Sequence, residues 1–281
     1  MKIAIIQEAG RHEKNKNFRE CLSMQRALGL LGHDSHVWGL GHDNYGSLPD
    51  WENYDAILNL ENYDSTDWLP DLSNVFRPKK ILWSIDAHVR GMRIYKEIYN
   101  RGNYDIILQA TKDFVDDDSV WFPNCYDSTL IDCNPAIKKE NFLGFCGSLL
   151  NRAEILNFLT EQFSIKKDIW VLGEDMVHAV NSYKVHFNLN LSNDINYRSF
   201  ETIGCGTALM TNSNKQYDEL GFVDGMNSIF YSSVEEIVQK LSYYKKNEKE
   251  LLEIQKNSIT LAEKHTYNER ATRLVEIINE L

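Results

Sequence analysis

The sequence has no G-x-G-x-x-G turn, although its first apolar strand is followed by a helix, as such a turn would require. Gly10, Gly39 and Gly41 are too dispersed to cradle a pyrophosphate, so a dinucleotide dehydrogenase finds no support. Neither a P-loop nor a G-x-S-x-G nucleophile turn occurs. Metal motifs are equally scarce. The eight histidines are scattered without an H-E-x-x-H, and no D-x-D stands at the carboxyl end of a strand, which speaks against a mechanism built on a bound divalent ion. The five cysteines, Cys21, Cys125, Cys133, Cys146 and Cys205, are odd in number and lack a C-x-x-C pair. They read as reduced, mostly buried thiols rather than a disulfide framework or zinc knuckle. No run approaches the roughly 18 apolar residues of a membrane span, and Met1 to Ile6 is too short for a signal peptide, so a cytoplasmic protein is expected. Positive charge is in deficit too. Lys and Arg number 30 against 41 Asp and Glu, a formal charge of −11, which argues against a broad basic surface for nucleic acid or anionic membrane. Small or neutral partners are expected.

What is present is an ordinary globular composition, 43% hydrophobic and 25% charged, over 281 residues, enough for two domains. Short β-branched runs at 2–6, 36–39, 54–60, 80–85, 104–109 and 120–127 alternate with helical periodicity at 18–31 and 92–100. The same alternation resumes with strands at 142–147, 168–173, 185–191, 207–211 and 229–231, and helices at 153–163, 176–183, 197–205, 234–245, 248–263 and 267–281. Strands alternating with helices imply an α/β fold with parallel sheets. The expected organisation is a first Rossmann-like domain over 1–137, a second over 138–265, and a last helix, 266–281, that packs back on the first domain.

In open parallel sheets, ligands gather beyond the carboxyl ends of the strands. The stretch Arg198-Ser-Phe-Glu201-Thr-Ile-Gly204-Cys-Gly206-Thr207 is the most informative such place. Arg198 falls in the first turn of a helix, where the positive end of the dipole makes a cation unfavourable by itself. An anion held between guanidinium and helix terminus removes the conflict, and a phosphate suits both. Glu201, three residues on, could accept two ribose hydroxyls. The alternative is an ordinary i, i+3 ion pair on the surface. Gly206 stands where a helix C-terminal glycine belongs. The loops Gly147-Ser148 to Arg152 and Asn190 to Arg198 add a second arginine and polar groups. In the first half, Asp86 and His88 follow a strand directly, and either could act as a general base. The alternative for Asp86 is a helix cap.

These motifs together resemble a known family. Phe-Cys-Gly-Ser with Arg152, then Asn188-Leu-Asn-Leu191, Arg198-Ser-Phe-Glu201 and Gly204-Cys-Gly-Thr-Ala-Leu-Met-Thr211 resemble the nucleotide-binding half of GT-B glycosyltransferases. The likeness is to the group 1 type C-terminal domain, most closely the CgeB-like group, and the tail Ser233-Val-Glu-Glu-Ile237 with His265-Thr-Tyr267 fits it too. The resemblance implies two Rossmann-like domains whose parallel sheets face a central cleft. It also implies donor-binding residues Gly147, Ser148, Arg152, Asn190, Arg198, Glu201, Gly206 and Thr207, with Glu201 on the ribose and the arginines on the diphosphate. Many retaining members carry a second glutamate eight residues before the ribose glutamate. Here that position is Asn193, which places such a mechanism in doubt. Ile81-Leu-Trp-Ser-Ile-Asp86 is similar to the strand that ends in the base aspartate of phage DNA β-glucosyltransferases, which are inverting. This implies Asp86 as base, with His88 beside it, in a hexosyltransferase that needs no metal or other cofactor. Its co-substrate would be a nucleotide-sugar, a UDP-sugar being favoured, and its acceptor a glycan, protein or small molecule, DNA ranking last. The rival readings are a non-catalytic nucleotide- or sugar-binding protein on the same fold and an epimerase-like enzyme acting on the donor alone.

Overall fold

The computed structural model describes residues 1–62 and 66–281 and divides into two compact units. The first comprises 1–124 and 267–281, the second 125–266. Its elements run β1 (Lys2–Ile6), α1 (Glu20–Leu30), β2 (Asp34–Trp38), β3 (Ala56–Leu60), β4 (Lys79–Ser84), α2 (Ala87–Arg90), α3 (Met92–Gly102), β5 (Ile106–Gln109) and β6 (Ser119–Trp121). The second unit follows with β7 (Asn141–Gly147), α4 (Ala153–Phe163), β8 (Lys166–Ile169), α5 (Gly173–Asn181), β9 (Tyr183–Phe187) and α6 (Tyr197–Gly204). It continues through β10 (Ala208–Asn212), α7 (Lys215–Glu219), β11 (Ile229–Tyr231), α8 (Val234–Lys246) and α9 (Glu248–Ala262), after which α10 (Tyr267–Glu280) rejoins the first unit.

Both sheets are parallel throughout, in the orders β2-β1-β3-β4-β5-β6 and β11-β10-β9-β7-β8. Strands buried on both faces need apolar residues at nearly every position, and β3 (Ala-Ile-Leu-Asn-Leu), buried along its whole length, shows it. The order reverses between β1 and β3 in the first unit and between β7 and β9 in the second. At such a reversal the two following helices leave on opposite faces of the sheet, opening a crevice at the carboxyl edge.

The first core gathers Ile6, Trp38, Ile57, Leu82, Tyr95 and Ile107; the second gathers Leu143, Phe145, Leu156, Phe187, Met210 and Ile254. Helix α10 lies against α1 and buries Tyr267, Ala271, Leu274, Ile277 and Ile278. Arg270 ties it down by donating from Nε to the Pro123 carbonyl, 2.8 Å, and from Nη2 to that of Asn124, 3.3 Å.

Residues 125–137, which the sequence assigns to the first domain, pack within the second unit. The Tyr126 N–H donates to His265 O, and Asn181 brackets the segment by accepting from the Asn134 N–H (2.9 Å) and donating to Asp132 O (3.0 Å). Strand β8 ends at Ile169 rather than Gly173, because Trp170 turns to φ +56° and breaks the extended run. Helix α7, absent from the sequence reading, is started by Asn214, whose Oδ1 accepts the Gln216 N–H at 2.9 Å.

Candidate functional site

The second unit's crevice begins where β7 and β9 part. Their pairing extends only to Gly144 opposite His186, whereas β7 continues beside β8 to Gly147 opposite Ile169. The next inward N–H of β7, that of Cys146, donates to the His186 side chain at Nε2, 3.1 Å. Two helices start at this edge, each with an arginine at its beginning. Arg152 stands at the cap position of α4, and Arg198 is the second residue of α6. Arg152 reaches across from the β7–α4 loop to the segment after β9, where Nε and Nη2 both donate to the Leu189 carbonyl, at 3.0 and 2.8 Å. Its Nη1 lies 3.5 Å from Ser148 Oγ. The fork therefore straddles the crevice.

Arg198 pairs with Glu201, Nη1 to Oε2 at 2.8 Å, and both side chains are largely buried, 20% and 17% exposed. This is the i, i+3 pair, but not on an open surface. Nη1 makes no well-directed hydrogen bond. Burial pulls the guanidinium pKa down, and Glu201, with the Cys146 and Cys205 thiols, outweighs it, so the group stays above its ordinary value. The Cys146 thiol closing β7 is pushed up to about 11 by burial, with Arg198 opposing, which sets the arginine's charge near the end of that strand.

A buried relay holds Arg198's backbone. Because His186 Nε2 accepts from Cys146, its Nδ1 must carry the proton, and it meets Thr202 Oγ1 at 2.6 Å. The Thr202 hydroxyl then donates to the Arg198 carbonyl at 2.5 Å. Burial holds His186 well below its ordinary pKa, with the Arg198 charge acting in the same direction. Helix α6 itself is opened by Asn196, whose Oδ1 accepts the Ser199 N–H at 3.3 Å.

The other residues singled out from the sequence divide into two groups. Gly147 and Ser148 are half-buried at the crevice edge. Asn190 follows β9 but is buried, and its amide is engaged by Tyr217 Oη (2.9 Å), Asn188 (3.2 Å) and Thr211 (3.4 Å). Gly206 and Thr207 lie at the far end of α6, before β10 and hence at the amino edge of the sheet. Thr207 is fully buried, its hydroxyl donating to Val180 O (2.8 Å) and receiving Lys139 Nζ (2.7 Å). Gly206 adopts φ +59°, and a Cβ there would sit 2.7 Å from Cys133 Sγ. Both are thus framed by packing, away from the arginines. Asn193 is exposed, and its carbonyl accepts from Gln216 Nε2 at 2.7 Å.

In the first unit the β1–β3 crevice is bridged by its own side chains. Gln7 accepts the Cys21 N–H of α1 (3.0 Å) and donates to Glu20 Oε2 (3.0 Å) and the Glu61 carbonyl (2.9 Å), while Asn62 Oδ1 accepts the Glu8 N–H (3.1 Å). The residues of this unit singled out from the sequence lie one strand further on. Asp86 occupies the N-cap position of α2, between β4 and the helix, yet its carboxylate does not cap it. Asp86 and His88 are both half-buried. Their neighbour Glu61, directly after β3, was given no role from the sequence; its place at a strand end was the available signal, but the residues it contacts lie far along the chain. Of the aromatic residues in this unit, Trp38, Trp51 and Tyr95 are buried in the core, and Trp68 leans half-buried on Trp38 and Tyr45. Among the described residues no three His, Cys, Asp or Glu side chains cluster as a metal site requires, and no helix is long and apolar enough to cross a membrane.

Residues 151–276 match the family described as glycosyl transferase-like. A comparison with curated protein sequences finds no match. Solved structures show the fold of the whole chain. HepE of Anabaena, solved with UDP-glucose, aligns over 100% of both chains at 12% identity with a TM-score of 0.66. A glycosyltransferase from Rickettsia africae aligns over 99% of this chain and 98% of its own at 11% identity, TM-score 0.66. An alpha-glucosyltransferase in complex with UDP and a 13-mer DNA covers 99% and 100% at 10% identity, TM-score 0.69. The architecture is the two-sheet GT-B fold of glycosyltransferases.

Proposed function

We propose that this chain, whose residues 151–276 form a glycosyl transferase-like domain on a GT-B fold, transfers a sugar from a UDP-sugar to an acceptor hydroxyl. The observation that carries the reading is the placement of Arg152 and Arg198 at the starts of the two helices that flank the β7–β9 crevice, with Glu201 paired to the second. Two guanidiniums beside two positive helix ends suit a diphosphate, the group that must accept negative charge when the sugar leaves. Glu201, one turn into α6, takes the ribose hydroxyls, and Gly147, Ser148 and Asn190 shape the edge around them. Uridine is favoured because HepE and the alpha-glucosyltransferase were both solved with UDP or UDP-glucose.

Asp86 of the first unit serves as general base on the acceptor hydroxyl, with His88 beside it. The base removes the hydroxyl proton as the oxygen attacks the anomeric carbon, and the nucleoside diphosphate departs with the electron pair of the old bond, inverting that carbon. A charge of −11 favours glycan, protein or small-molecule acceptors over DNA.

The test is release of UDP from UDP-glucose with water as the basal acceptor, in the wild type and in Asp86→Asn. The variant is expected to lose nearly all turnover while binding UDP as tightly as the wild type. Full turnover in Asp86→Asn removes that residue from the mechanism, and a wild type that binds UDP without ever releasing it from UDP-glucose is a binding protein.

A further inference from the structure

Glu61 is a carboxylate with a side chain only 7% exposed, in a place where four groups converge on it. Oε2 accepts the backbone N–H groups of Ile85 and Asp86, both at 2.7 Å, and the Tyr95 hydroxyl. Oε1 receives Arg90 Nε at 2.8 Å. Those donors come from three successive pieces of chain: the β4–α2 turn, the end of α2, and α3. A helix of only four residues, Ala87–Arg90, has little stability of its own, so the turn needs an outside anchor. Glu61 supplies it from the neighbouring strand β3.

We infer that Glu61 is the positioning residue of Asp86, clamping the turn that carries the aspartate. The inference rests on the reading of Asp86 as the base. Around Glu61 stand Asp86 on the turn, Arg90 on α2 and Tyr95 on α3. Burial pushes the Glu61 carboxyl up to about 7, Asp86 adds to the rise, and the Tyr95 and backbone hydrogen bonds oppose it. Arg90, in ion-pair contact, favours the charged form as well. Within this pair Glu61 is the carboxyl whose ionisation is disfavoured, while the N–H donors on it hold the turn in place. A glutamine keeps an oxygen for the turn N–H groups but loses the charge, and an alanine loses both.

The experiment follows the backbone amide resonances of Ile85 and Asp86 by 1H–15N NMR in wild type, Glu61→Gln and Glu61→Ala. In Glu61→Gln, which keeps an oxygen for the turn, these amides are expected to shift little and UDP release from UDP-glucose to keep most of its kcat. In Glu61→Ala the same amides are expected to shift strongly, and kcat should fall at least about tenfold with KM for the donor unchanged. Turn amides unmoved in folded Glu61→Ala overturn the inference whatever the turnover shows. Turnover that survives in Asp86→Asn overturns the base assignment instead, so the two failures are told apart.

Discussion

His186 touches none of the proposed reacting groups, yet it holds one of them. Its imidazole links the loose end of β7 to the carbonyl of Arg198 through Thr202, and it can do so only as the neutral Nδ1–H form. A proton on Nε2 would face the Cys146 N–H, donor against donor, in a fully buried place. The folded pKa is therefore depressed below 6.5, and the unfolded chain binds the extra proton first. Stability contributed here is complete above about 6.5 and falls as pH drops, by up to about 1.4 kcal/mol per unit until the folded pKa is reached. Urea midpoints between pH 7.5 and 5 check this. The wild type should lose stability more steeply than His186→Gln, which is expected to be weaker at pH 7.5 but flatter, and parallel slopes would show that His186 carries no such linkage.

At the scale of elements, α6 has two ends with different work. Its start bears Arg198 and Glu201; its end bears Gly206, whose φ of +59° and close approach to Cys133 and Ile259 serve packing. Gly206→Ala should cost about 1–3 kcal/mol through backbone strain and the displaced Cys133 side chain, while the folded variant binds UDP as the wild type does. Denaturant unfolding and calorimetry of UDP binding separate these effects, and weakened binding with intact stability would return Gly206 to the donor site. The same helix shows what the sequence could disclose. Arg198 and Glu201 lie three residues apart on one helix, so their pairing is local and legible. Asp86 was legible as a residue that ends an apolar strand. Glu61 was not, because its meaning depends on contact with residues 24 to 34 positions away, Ile85, Asp86 and Tyr95, which no local pattern encodes. Strand β8 was read too far toward the C-terminus because Ile-Trp-Val-Leu is strand-like in composition, and only the left-handed Trp170 reveals the break.

For the whole molecule, the alternation of strands and helices made two parallel α/β units expected, and the sheet orders bear that out. The exchange point between units was less legible, since the strand-like run read over 120–127 carries across it. The hydrogen bonds of 125–137 to Asn181 and His265 assign that segment to the second unit. Each unit has a crevice at its order reversal, but they are unequal. That of the first is bridged by the neutral side chains of Gln7 and Asn62, whereas that of the second is straddled by Arg152 and flanked by Arg198, whose charges suit a diphosphate. The donor is accordingly proposed to bind in the second unit. The direct test is titration calorimetry of UDP and UDP-glucose against the wild type and Glu201→Gln. Glutamine is chosen because it keeps an oxygen to accept from the largely buried Arg198, which alanine would leave without either counter-charge or acceptor. The expected result is binding of both ligands by the wild type and at least about tenfold weaker binding, 1.4 kcal/mol, by the variant. Folded wild type that binds neither ligand, or a variant that binds as well as the wild type, would contradict the assignment of this crevice to the donor.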